Sequence, residues 1–263
     1  KYIVSILMLL CVIEVSACDI CGCSTSASYF GIFPNVRKHF VGTRYQYNRY
    51  HSIHPADNTF GDDYFQTFEI WTRLVLHKNI QFFAVLPFQN TLRNESEELI
   101  NVRGLGDASM KVNYILLDQG RMVDQNWKHF IQAGMGIKIP TGLSDLKQNK
   151  HTLPNAIQLG SGSTDYLLNA LYILRYKKAG LYLDLNYTFN TANSEKYQRG
   201  NSINTSSKLF YWFQFKTMSI VPSFGIDFEQ SAVDLQNQKE VEYTGRTSVL
   251  GNLGANLFFN RFS

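Results

Sequence analysis

Three of the chain's four cysteines fall close together, in the stretch ACDICGCSTS from Ala17 to Ser26. Cys18, Cys21 and Cys23 are spaced so that their sulfurs converge around a tight turn at Gly22. Such thiolates suit a soft ion, copper(I) or zinc. In an oxidising compartment the same thiols pair instead, and neighbours this close make a strained, labile disulfide. A third chemistry concerns Cys18 alone. Val15-Ser16-Ala17 places an apolar and two small residues before it, the pattern of a lipobox whose cysteine is acylated. The residues leave all three readings open: lipid anchor at Cys18, metal or redox site at Cys18, Cys21 and Cys23, or ordinary disulfide.

No other stretch assembles a reactive constellation. There is no Gly-x-Ser-x-Gly elbow and no His-Glu-x-x-His. The six histidines are scattered. His51 and His54 are expected in a long loop, His77 at a turn and His151 in another loop. A His51-x-x-His54 pair in a loop lacks the helical spacing that aims two imidazoles at one ion. A hydrolase would need a His, a Ser and an acid on neighbouring strand ends. No catalytic residue is assigned, and the chain is expected not to be an enzyme. No cofactor is expected, apart from copper or zinc at the cysteines.

These groups need a frame, and the frame begins with export. Tyr2 to Ile13 is an almost unbroken apolar run, too short to span a bilayer but suited to a signal peptide. The small residues to Ala17 supply the cut. Cys11 then lies in the cleaved part. Residues 1–17 are expected to be the signal segment, incomplete at its start because Lys1 stands where a Met would. Residues 18–37 form a cysteine-bearing periplasmic lead-in. Net charge is only +4 and basic residues do not cluster, so nothing argues for nucleic acid. Charged residues make up 17% and aromatics 14%, with a mean hydropathy of −0.18. That mixture suits apolar residues spread thinly over β-structure.

From residue 38 onward the pattern has period two. Val41, Thr43, Tyr45 and Tyr47 alternate with Arg44 and Gln46. Phe68, Ile70, Leu74 and Leu76 oppose Glu69 and Arg73. Met110, Val112 and Tyr114 oppose Lys111 and Asn113, and Met135 and Ile137 oppose Gly136 and Lys138. Leu183, Leu185 and Tyr187 oppose Asp184 and Asn186. Sustained alternation means strands with one apolar and one polar face. The runs often reach ten residues, the length a tilted membrane-spanning strand needs. Connections alternate between long (His51–Asp62, Asn90–Gly104, Pro140–Thr164, Asn190–Asn201, Gln230–Tyr243) and shorter (His77–Asn79, Lys177–Gly180, Lys216–Ser219), with Asp118–Asn126 intermediate. The expectation is an all-β, transmembrane, up-and-down antiparallel β-barrel over residues 38–263. About ten strands are present, with one further hairpin making twelve in the complete protein.

The alternation assigns sides. Tyr45, Leu74, Tyr114, Ile137, Tyr172 and Leu183 are expected to face lipid. Arg44, Glu69, Arg73, Asp107, Lys111, Lys138, Asp165, Asp184 and Asp227 are expected to face the lumen. Buried charges must pair, so these residues either plug the lumen or line a narrow conduit. An internal echo adds to this. GLGDASMKVNYIL and GSGSTDYLLNALYIL each place Tyr-Ile-Leu seven residues after an Asp, Asp107 and Asp165.

Gly104-Leu105-Gly106-Asp107 before a Tyr-bearing strand, then GMGIKIPTG (Gly134 to Gly142) and LGSGSTD (Leu159 to Asp165), resemble the phenol meta-pathway family of outer-membrane proteins. The resemblance covers roughly residues 38 to 263. It implies a twelve-stranded, transporter-like barrel passing small, often hydrophobic, solutes. The CDICGC head is not part of the family's pattern. The expected location is the outer membrane of a Gram-negative bacterium, with the N-terminus periplasmic and the partners membrane lipid and a small solute. The alternatives are a periplasmic metal-binding or assembly component anchored by the barrel, and a barrel hydrolase.

Overall fold

The computed structural model describes residues 39–54, 59–95, 98–120, 126–148, 151–155 and 157–259. One curled antiparallel sheet, a half-barrel of ten strands, dominates it. The first strands are β1 (Phe40–His54), β2 (Thr59–His77) and β3 (Ile80–Glu95). β4 (Glu98–Leu105) and β5 (Ala108–Asp118) both pair with β3 and form one interrupted strand. β6 (Trp127–Ile139) follows, then a small ribbon of β7 (Lys147–Gln148) and β8 (His151–Thr152). β9 (Asp165–Tyr176) and β10 (Ala179–Phe189) continue the sheet. β11 (Tyr197–Gln198) belongs to a connection. β12 (Ser202–Tyr211) and β13 (Phe213–Gln214) both pair with β14 (Met218–Ser231) and again form one interrupted strand. β15 (Leu235–Gln236) and β16 (Lys239–Glu240) join β11 in a three-stranded cap, and β17 (Arg246–Phe259) completes the main sheet beside β14.

Each strand joins its sequence neighbour, so the topology is up-and-down. Alternation decides which side chains go where. On β10, Tyr182 and Asp184 are buried while Leu183 and Leu185 are exposed. The apolar side points outward along every long strand. Tyr45, Leu74, Tyr114, Ile137 and Leu183 are all exposed. Tyr172 is also on this face, half covered by His129, whose Nδ1 lies 2.9 Å from the Tyr172 hydroxyl. A soluble sandwich would bury these residues between two sheets. Among the described residues no second sheet covers them.

Two aromatic bands bound the apolar face. At the short-turn end, Trp127 packs on Tyr176 at 4.6 Å between ring centres, and Tyr211 on Phe213 at 4.8 Å. At the other end Tyr166 stands opposite Phe189. Tyr166 and Tyr176 are ten residues apart on β9. At about 3.3 Å per residue and a tilt of about 40°, that separation projects to roughly 25 Å, the height of the apolar band of outer-membrane barrels.

Several expected boundaries are corrected. β1 runs on to His54 and β2 starts at Thr59, so His51 and His54 lie in a strand rather than a loop. β3 reaches Glu95 and β4 starts at Glu98, which turns the expected loop from Asn90 to Gly104 into paired sheet. Gly104 to Asp107 is therefore a break inside a strand, not a loop rejoining one. Polar residues dominate these segments, and without an apolar stripe a polar strand has the composition of a loop. Backbone pairing carries the hairpins beyond the apolar band. His151 falls in β8.

Leu183, near the middle of β10 and opposite Tyr172 and Ser207, probes the outer face. Leu183→Arg is expected to destabilise the protein by about 2–4 kcal/mol, the cost of a basic side chain near a bilayer midplane. Denaturant titration in lipid bilayers measures this. An unchanged stability would contradict a lipid-facing β10.

Candidate functional site

The concave side has two zones. Toward the short turns it is apolar. Phe83, Ile115, Phe130, Leu171, Tyr182 and Phe210 form a buried cluster with Ile173 and Val221. Trp212 and Phe258 close against it with parallel rings 5.8 Å apart. Each large side chain buried here contributes about 1.5–3 kcal/mol. The expectation of a polar inner face is thus corrected toward the short turns, where apolar side chains dominate it. Gly180 helps to seat the plug, because a Cβ there would lie 2.2 Å from the Phe210 ring.

Toward the long loops the concave side opens into a cavity of about 420 Å³. Its walls carry Glu69, Lys111, Lys138, Asn186, Asn204 and Glu229, among others. Neighbouring strands set these side chains against one another. Arg44 and Glu69 are register partners, with Arg44 Nε 2.7 Å from the carboxylate. Lys111 lies within electrostatic reach of Glu69 and Asp184. Asp184 accepts a 3.4 Å bond from the Tyr182 hydroxyl. Lys138 Nζ stands 2.6 Å from Asp165 and 3.7 Å from Asp107. The two echoed aspartates therefore meet at one lysine. At the far side Arg246 binds Glu229 at 3.0 Å, and Asn252 donates to Asp227 at 2.7 Å. Arg73 stands apart from the chamber. It is buried, its guanidinium lies 5.9 Å from the centre of the Phe40 ring, and no ion pair holds it among the described residues.

Asp107 and Asp165 also hold the loops. Asp107 accepts the Gly142 and Ser161 amides at 3.1 and 2.8 Å and the Ser161 hydroxyl at 2.8 Å. Asp165 accepts the Ser163 hydroxyl and the Thr191 amide, both at 2.9 Å. Asp234 stitches the cap together by accepting from the Tyr197 hydroxyl and from the Gly200 amide at 2.7 Å. Leu153, Ile157 and Leu159 of the loop after β6 pack on Phe65, Ile100 and Val102 of the extended hairpins. The long loops thus fold over the cavity as a pinned cover.

One buried pair has no counterpart in the sequence expectations. Asp63 and Arg93 face each other across β2 and β3, joined by two hydrogen bonds of 2.7 and 2.9 Å, both side chains buried. Arg93 falls in the expected loop Asn90–Gly104 and Asp63 borders the expected loop His51–Asp62, so only the strand register makes their opposition legible. Among the described residues no group of His, Cys, Asp and Glu is arranged to hold a metal ion. Cys18, Cys21 and Cys23 lie outside the described residues.

No protein-family model matches the chain, and no curated protein matches it. Its fold is similar to the crystal structure of an outer membrane channel from Pseudomonas putida F1. The TM-score is 0.58 at 14% identity, over 84% of this chain and 82% of that one. The likeness is one of fold.

The Asp63–Arg93 pair yields a stability test. Asp63→Ala leaves a buried guanidinium uncompensated and is expected to cost about 3–5 kcal/mol. Asp63→Leu with Arg93→Met removes both charges and is expected to be far milder. Unfolding midpoints of the three proteins give the comparison. Equal losses in the single and double variants would show that packing, not pairing, matters there.

Proposed function

We propose that this chain is an outer-membrane channel of a Gram-negative bacterium, which passes or assists passage of a small solute. The carrying observation is the chamber of about 420 Å³, walled by charged and amide side chains inside a sheet whose outer face is apolar. A polar lumen wrapped by lipid-facing strands is what carries a solute through a bilayer. The aromatic bands roughly 25 Å apart support the membrane setting. The fold shared with a protein described as an outer membrane channel supports the function. The family reading, that of the phenol meta-pathway proteins, rests on the Gly-rich motifs given above. Phe40 opens β1 opposite Arg73, near the short-turn end. With short turns facing the periplasm, as in outer-membrane barrels, the N-terminus is periplasmic.

In this reading the solute meets the long-loop cover, then the chamber, then the apolar plug. The charged groups are paired with one another, so they fix the chamber's shape more than they attract ions. The plug fills the short-turn end of the path with buried apolar side chains, and hydrophobic constrictions serve as gates. No reaction is assigned to any residue.

Planar-bilayer recording on the purified protein tests the proposal. Discrete ion conductance is expected, and Phe83→Ala combined with Phe210→Ala is expected to enlarge it by thinning the plug. A silent bilayer with both correctly folded proteins would overturn the channel reading.

The cysteine head carries a separate proposal, favoured by its spacing: a lipid anchor at Cys18, or a copper or zinc site at Cys18, Cys21 and Cys23. Intact mass decides the first and elemental analysis the second. Acyl mass lost in Cys18→Ser supports the anchor. Metal lost in Cys21→Ser with Cys23→Ser, while the barrel still folds, supports the site. Unmodified mass without metal would remove both.

A further inference from the structure

Four asparagines stand in one row across the concave face. Asn113 of β5 faces Gly134 of β6, and Gly134 faces Asn169 of β9. Asn169 faces Asn186 of β10, which faces Asn204 of β12. Asn204 in turn faces Glu229 of β14. Residues directly opposite in a sheet share a face, so the row is continuous. Its one bare rung is Gly134. A Cβ there would sit 1.8 Å from the Asn113 side-chain oxygen, so Asn113 lies in the space a side chain would take.

The row crosses from one zone to the other. Asn186, Asn204 and Glu229 line the chamber. Asn113 and Asn169 lie beyond it and are only 0% and 5% exposed. Along their strands, each sits between a chamber residue (Lys111, Leu167) and a plug residue (Ile115, Leu171). Neither amide has a hydrogen-bond partner among the described residues, at oxygen or at nitrogen. Gln81, opposite Asn113 on β3, and Gln132 of β6 share that condition and are fully buried. Strands tilt in a barrel, so a row perpendicular to them climbs the wall instead of circling it at one depth. This row links the chamber to the plug.

We infer that the row is a solute track, and that its solute is neutral and hydroxylated, a polyol or small saccharide. The inference rests on the channel reading and names its substrate class. A primary amide offers donors and an acceptor together. A hydroxyl does the same, so successive hydroxyls match successive amides without adding charge. An apolar solute leaves the amides unmatched, and sites built to bind hydroxyls reject analogues that lack them. An ion finds the nearby charges already engaged: Lys138 with Asp165, Arg246 with Glu229, and Arg44 with Glu69. This departs from the hydrophobic solutes that the family resemblance implies.

Calorimetric titration of the purified full chain with sorbitol, and separately with phenol, tests it, alongside bilayer conductance on the same preparation. Sorbitol is expected to bind saturably and to lower the conductance, and phenol is not. Asn113→Leu with Asn169→Leu is expected to lose about tenfold or more in sorbitol affinity, the worth of one or more hydrogen bonds. Asn169→Ser, which replaces the amide by a smaller hydroxyl that still donates and accepts, covers the case in which the double variant fails to fold, and is expected to lose less. Conductance without sorbitol binding, or with phenol bound in its place, overturns the inference and leaves the channel reading standing. Sorbitol binding beside a silent bilayer overturns the channel reading and upholds the hydroxyl-binding row. Folded variants that bind sorbitol as tightly as the parent overturn the row as its site.

Discussion

Everything in this molecule depends on the continuous antiparallel ladder. In hydrocarbon no water satisfies a backbone N–H or C=O, so each must bond to the next strand. The pairing runs from β1 to β17, interrupted where β4 gives way to β5 and β12 to β13, with register shifts between Val75 and His77, between Ile115 and Leu117, and between β4 and β5 against β3. Once register is fixed, period-two geometry sends alternate side chains to opposite faces. A slip of one residue would place Asp184 and Lys111 in lipid and Leu183 and Val112 inside. Register and the two-faced sequence therefore enforce each other.

The inner face solves two problems in two ways. Near the short turns it excludes water by packing Phe83, Phe130, Tyr182 and Phe210 into an apolar plug. Near the long loops it keeps charge, and keeps it paired. Lys138 serves two aspartates, and both of those aspartates also hold loop backbone. Wall and cover are thus one hydrogen-bonded unit. The amide row runs from one zone to the other, and two of its members, Asn113 and Asn169, are buried without protein partners among the described residues.

The fold was legible because dyad alternation is a direct imprint of a sheet with lipid on one side. The outer residues named from sequence, such as Leu183 and Tyr114, are exposed on the apolar face. The pairs between strands were not legible. Arg44–Glu69 and Asp63–Arg93 depend on register, which alternation within one strand does not supply. Hairpin ends were misplaced because polar strands beyond the membrane carry no apolar stripe. The plug was missed for a related reason: its apolar residues sit on the face that alternation had marked as polar. Ile115 and Phe130 flank strand ends, where a short apolar run hides which face it serves. The asparagine row has a sequence signal, since Asn113, Asn169, Asn186 and Asn204 all occupy inner positions. Only register aligns them.

The central claim is that β10 divides lipid from a solute-accessible lumen. Thiol labelling tests it in a background with the four native cysteines replaced by serine. Leu183→Cys and Asn186→Cys are reconstituted separately and treated with a charged, water-soluble thiol reagent during bilayer recording. The account predicts that Asn186→Cys reacts and the conductance falls, while Leu183→Cys stays unmodified. Rapid modification of Leu183→Cys together with an inert Asn186→Cys would contradict it.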